Sequence, residues 1–351
     1  MGARVVLAAA LVAALPTIAA AQELSAAADL LFYADNTEFA NPFREGETWL
    51  GAAGRVYVSV ALGDEVQVRG GLFGNGRFGA HEFLEEAEPY LALEIRRGPS
   101  RLILGSLETA LSRVHGRGPD RETPHGLLPP VQEETLTFRR AHDMGLQWLV
   151  DGPRLSHDAW LSWHRLNRNG QRELFDAGYR ARVALARPLA IAGSWHVVHE
   201  GGQADADGPV RDSHAGTLGL VWSAGAATAA RITVEAHGVA TRDTPDRAQA
   251  ESTRTGIGVF TRAALDAGPW RGHLIVWRGE QVFKTEGDAN YLSARLDGTA
   301  FPRIRDYGEA GVTRVFRPAP GVDLQASFRL HRVERHYEYS YRIVSRVRIG
   351  A

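Results

Sequence analysis

Residues able to do covalent chemistry are sparse in this 351-residue chain. Ser162 and His164 stand two positions apart, so an extended backbone would place both side chains on one face. That is the beginning of a serine–histidine pair, but such a pair also needs an acid to orient the imidazole, and the sequence identifies no Asn or Asp in that role. Ordinary polar side chains are the plainer account, and no enzymatic activity is expected. The 13 histidines are scattered, and His196 and His199 would fall on opposite faces of a strand. No metal site and no cofactor are expected. Cysteine is absent, which excludes a disulfide, a thiolate site and a lipoprotein anchor. The glycines follow no phosphate-binding pattern. Arginine is the recurrent functional group, Lys284 being the sole lysine, yet the net charge is −1 and no nucleic-acid partner is expected.

The elements that must position these residues are strands. Tyr337, Tyr339, Tyr341, Ile343, Val347 and Ile349 alternate with Glu338, Ser340, Arg342, Arg346 and Arg348. Val322, Leu324, Ala326, Phe328 and Leu330 alternate in the same way with Asp323, Gln325, Ser327, Arg329 and His331. A period of two sorts these faces cleanly, whereas a helical period would scatter them. Seven short turns rich in Gly and Pro join strands in pairs, at 62–65, 97–100, 151–154, 186–189, 223–226, 266–269 and 318–321. Longer polar stretches separate the pairs, the longest being 112–139. Seven hairpins, a strand near 28–34 and a closing strand near 337–349 predict 16 strands, with 14 or 18 as alternatives. At the start, Arg4, the apolar run Val5 to Leu15 and Ala19-Ala20-Ala21 read as a secretory signal peptide over 1–21, leaving one domain, 22–351.

The predicted fold is therefore all-β: a closed, antiparallel, up-and-down transmembrane barrel. Short periplasmic turns alternate in it with long extracellular loops. Trp148, Trp163, Trp195, Trp222 and Trp270 fall on the outward face, most of them near strand ends, as an interfacial aromatic girdle requires. A secretory start, about 16 amphipathic strands and a longest loop between the fifth and sixth strands resemble bacterial outer-membrane barrels of the general porin kind. The resemblance implies the outer membrane of a Gram-negative bacterium, with outer-membrane lipid as neighbour, and it implies that the third extracellular loop folds inward. The chain departs from such barrels in ending without an aromatic residue, and it alternates poorly around Leu102 and Val312.

Parity points Arg55, Arg69, Arg180, Arg182, Arg231, Arg262, Arg329, Arg342, Arg346 and Arg348 into the lumen, with fewer acids. Basic rings favour anions, while a ladder of Arg–carboxylate pairs would merely solvate the wall. In the long loop, His115, Arg117, Arg121, Glu122, His125, Glu133 and Glu134 are candidates for a constriction. The function expected first is a passive channel for small hydrophilic solutes, anion-preferring, of unassigned oligomeric state. Two alternatives stand beside it. One is a plugged or polymer-exporting barrel with a binding or structural role. The other is a lipid-acting barrel enzyme, because outer-membrane phospholipases carry a serine and a histidine on the barrel wall.

Overall fold

The computed structural model describes residues 23–82, 84–109, 123–202, 208–225 and 230–350. The expected signal segment lies outside them, as do His115, Arg117, Arg121 and Glu122. The first eight strands are β1 (Leu24–Ala40), β2 (Glu45–Leu62), β3 (Val66–Arg77), β4 (Glu86–Arg97), β5 (Ser100–Ser106), β6 (Met144–Asp151), β7 (Leu155–Arg165) and β8 (Glu173–Ala186). The second eight are β9 (Leu189–Gly201), β10 (Arg211–Gly225), β11 (Ala230–Thr244), β12 (Arg254–Ala267), β13 (Trp270–Glu280), β14 (Arg305–Ala319), β15 (Val322–Val333) and β16 (His336–Ile349). Each pairs antiparallel with its neighbours in sequence, and β1 closes on β16 with Leu30 opposite Val347. The predicted count of sixteen and the closure are what the chain forms.

Burial is inverted relative to a water-soluble protein. On β11, Ile232 and Val234 are exposed on the outer face, whereas Glu235 and His237 are buried on the inner one. All five outward tryptophans are exposed. An apolar outside and a polar inside suit a barrel set in lipid, where strand pairing around a closed sheet satisfies the backbone within it. No helix among the described residues is long and apolar enough to cross a membrane; the strands do so. The protein is an outer-membrane β-barrel.

Among the described residues, three loops enter the lumen. Phe43 from the β1–β2 connection, Leu127, Leu128 and Val131 from the β5–β6 connection, and Val282 and Tyr291 from the β13–β14 connection form an apolar cluster. It packs against inward Trp160, Trp277 and Tyr307. Ion pairs tie these loops together and to the wall: Arg44 to Asp288 at 3.0 Å, Arg140 to Glu286 at 2.6 Å, and Arg342 to both Asp35 and Glu134 at 2.8 and 2.9 Å. Among the described residues, the middle of the lumen is packed.

The wall is uneven. β5 has 7 residues and β6 has 8, against 12 in β4 and 11 in β7. β5 pairs with Ala92–Arg97 of β4 and leaves 86–91 without a partner on that side. β6 pairs with β7 only as far as Ser162, so Trp163 to Arg165 also stand above it. A gap about two strands wide, roughly 10 Å, is thus left at the extracellular end. The described parts of the β5–β6 connection, 107–109 and 123–143, adjoin that region.

Candidate active site

The gap is where a serine and a histidine meet. Gly105 has a φ of +99°, a backbone conformation that side-chain-bearing residues rarely adopt, and it breaks the alternation at the end of β5. The Ser106 hydroxyl consequently sits in the ladder, where its oxygen accepts the backbone N–H of Leu91 at 3.0 Å in place of a carbonyl. Its Oγ lies 3.5 Å from Nε2 of His142, and both residues are buried. With one lone pair of Oγ taken by Leu91, the hydroxyl hydrogen is free to point at Nε2, given the tautomer that carries its proton on Nδ1. This is a nucleophile–base arrangement at the long end of hydrogen-bond range, as is usual without substrate.

The surroundings fix the imidazole. His142 stacks on Phe73 with centroids 4.6 Å apart and planes at 16°, and Tyr90 lies 6.2 Å away. The chain on either side is tied down: Leu107 N–H donates to the Asp143 carbonyl at 2.8 Å, and Thr109 Oγ1 to the Ala141 carbonyl at 3.1 Å. The short helix α1 (Leu136–Arg139) covers the site, with Phe138 stacked on Tyr33 at 4.6 Å and its carbonyl held by Asn75 Nδ2 at 2.9 Å. Glu88 Oε2 lies 3.9 Å from His142 Nε2, near enough to offset charge on a protonated ring. Burial pushes the His142 pKa down to about 4, so the ring is neutral, the form that accepts a proton.

A second ionisable cluster lies deeper. Ser162 is buried on the lumen side, and its hydroxyl has no hydrogen-bond partner. His164 Nε2 lies 3.1 Å from Asp176 Oδ2, so an acid does stand beside the predicted pair; strand pairing of β7 with β8 supplies it, with Asp176 opposite Ser162. His164, Asp176 and Glu286 could offer ligand atoms within 4.8 Å of one another. Arg140 already bonds Asp176 at 2.7 Å and Glu286 at 2.6 Å, so a guanidinium neutralises the carboxylates. From the long loop, His125 is buried between Asp143 and Asp158, stacked on Trp160 at 3.9 Å. Glu134 meets Arg329 at 2.7 Å and Arg342, and Glu133 meets Arg139 at 2.7 Å.

The predicted lumen arginines are mostly matched to carboxylates. Arg55 and Arg348 share Asp29, at 2.8 and 2.7 Å, and Arg69 bonds Glu94 at 2.8 Å. Arg180, Arg231, Arg262 and Arg346 stand opposite Asp158, Asp266, Glu235 and Asp323 in the strand register, while Arg182 lies opposite Ser156 near the short-turn end. The expected acid deficit is made up by Asp29 and Asp35 of β1 and by the loop carboxylates, which parity along the later strands does not reveal. Neither Ser106 nor His142 stands out in the sequence. The only signal is the poor alternation around Leu102, which marks the short fifth strand beside them.

The fold is shared widely. A loop deletion mutant of OmpT, an outer membrane protein of Vibrio cholerae, superposes with a TM-score of 0.56 at 9% identity, covering 94% of this chain and 100% of the other. OccK5 (OpdH) of Pseudomonas aeruginosa gives 0.53 at 10% identity, covering 94% and 98%. OccAB1 of Acinetobacter baumannii gives 0.51 at 10%, covering 93% and 96%. At such identities the likeness is one of fold. No curated relative matches the chain. A sequence model of the lipid A 3'-O-deacylase-type family matches residues 17–349. This overturns the expectation that the chain is no enzyme, an expectation drawn from one Ser–His pair judged to lack an acid while the pair at the wall gap went unseen. The chain belongs to the lipid A 3'-O-deacylase-type family.

Proposed function

We propose that this barrel hydrolyses an acyl ester of an outer-leaflet lipid, the 3'-O-linked chain of lipid A, at Ser106 and His142. One observation carries the reading: a buried serine–histidine pair sits where β5 and β6 stop short, so that among the described residues no strand stands between β4 above Ala92 and β7 above Ser162. An acyl chain in the outer leaflet reaches that gap without leaving the lipid. His142 Nε2 takes the Ser106 proton as Oγ attacks the ester carbonyl, and the Glu88 carboxylate offsets the imidazolium charge. The proton then passes to the departing sugar oxygen, and water attacking the acyl-serine releases the fatty acid.

The rival site is Ser162 with His164 and Asp176, favoured by the 3.1 Å contact of histidine and acid. Its Ser162 and Asp176 are buried on the lumen face, and Arg140 holds Asp176 at 2.7 Å. The passive channel keeps the support of its sixteen-strand architecture, and the packed mid-lumen favours the plugged alternative. The test is fatty-acid release from lipid A in detergent. Ser106→Ala and His142→Ala are expected to lose at least ~100-fold, the lower end of a general base's contribution, while Ser162→Ala keeps its activity. Loss in Ser162→Ala with Ser106→Ala active would move the site inward.

A further inference from the structure

Toward the short-turn end of the barrel a cavity of about 330 Å³ opens between β1–β5 and β16. That volume lies within the ~300–1,000 Å³ range of small-ligand sites. Five arginines line it: Arg55, Arg69, Arg96, Arg101 and Arg348. Their carboxylate partners are shared. Asp29 serves Arg55 and Arg348. Glu94 bonds Arg69 and Arg96 and lies 3.8 Å from Arg101. Glu108 takes Arg101 at 2.6 Å, and Asp151 stands exposed at the margin, 3.8 Å from the same guanidinium. Asp29 and Glu94 are fully buried, behind guanidinium groups that border the cavity. Five guanidinium groups thus share Asp29, Glu94, Glu108 and the marginal Asp151 among the described residues. Guanidinium N–H groups suit planar bidentate contacts with phosphate oxygens. The inner end of the cavity meets the Tyr57–Tyr90 ring pair, 5.0 Å between centroids, with the cluster of Tyr33, Phe73 and Phe138 in the same part of the barrel.

We infer that this cavity is a periplasm-facing binding site for a small multivalent phosphate, distinct from the acyl-ester site. A bound phosphate group would accept hydrogen bonds from the guanidinium groups that border the cavity and bridge β2, β3 and β16 through Arg55, Arg69 and Arg348. Such a site senses or holds a phosphorylated molecule on the periplasmic side, whether a free one or a lipid headgroup of the inner leaflet.

The experiment uses the folded mature barrel in a zwitterionic detergent. Isothermal titration with inorganic pyrophosphate is expected to show saturable binding that weakens as salt rises. The double variant Arg69→Gln/Arg348→Gln, which leaves Arg96 on Glu94 and Arg55 on Asp29, is expected to bind at least tenfold more weakly. Arg231→Gln, at the same end but outside the cavity, is expected to bind as the parent does. Competition by short-chain phosphatidic acid would assign the site to a headgroup, and its absence to a soluble phosphate; either keeps the site. No saturable binding by the parent, or equal binding by the heat-modifiable double variant, would overturn it.

Discussion

His142 sets the chemistry through its protonation state. Because burial pushes it down to about 4 from 6.5, the acid limb of kcat/KM is expected near pH 4. A pH–rate profile on lipid A checks this, and a limb near 6.5 would mean that the base is a solvated histidine elsewhere. The same shift acts on stability. Between pH 6.5 and 4 the unfolded chain binds a proton that the folded site refuses, so stability falls as the pH is lowered through that window and is unaffected above it. At this scale the sequence was least legible. Ser162 and His164 are visible because they are two apart on one strand. Ser106 and His142 are separated by 36 positions and meet only because a loop returns to its own starting strand.

Gly105 shows how one element makes the site. A Cβ there would lie 2.2 Å from the Leu91 carbonyl oxygen, at a φ of +99°. Gly105→Ala is expected to cost about 1–3 kcal/mol locally and to displace Ser106, which activity together with the unfolding midpoint would register. Gly70→Ala, whose nearest contact would be Leu91 Cδ2 at 3.8 Å, is the harmless control. The loop that carries His142 is anchored at Glu134. Burial raises the Glu134 pKa, but Arg329 and Arg342 outweigh it and hold the carboxyl down at about 2. This anchoring is therefore present above the unfolded carboxylate range and is lost as the pH falls toward 2. Arg342→Gln removes the guanidinium that Asp35 and Glu134 share. Breaking such a buried pair costs about 3–5 kcal/mol, and hydrogen exchange in 123–143 is expected to accelerate while the strands stay protected. Unchanged exchange would show that the apolar contacts of Leu127, Leu128 and Val131 suffice. The strands were legible because each has one face in lipid and one in the lumen, so its residues alternate. The loops have no such period, and their inward packing could be anticipated only from length and position.

For the whole molecule, closure of β1 on β16 is expected to make the barrel heat-modifiable on a gel. The three inward loops are expected to deny it the steady conductance of an open porin. Of the two readings of the lumen arginines, the ladder of ion pairs has the support of acids on the first strand and in the loops, which parity along the later strands does not reveal. What the folded barrel does to lipid A decides its function. Mass spectrometry of lipid A after incubation with the wild-type barrel is expected to show loss of the single 3'-O-linked acyl chain, and none with His142→Ala. Intact lipid A after wild-type treatment, or the same loss with the heat-modifiable His142→Ala barrel, would contradict it.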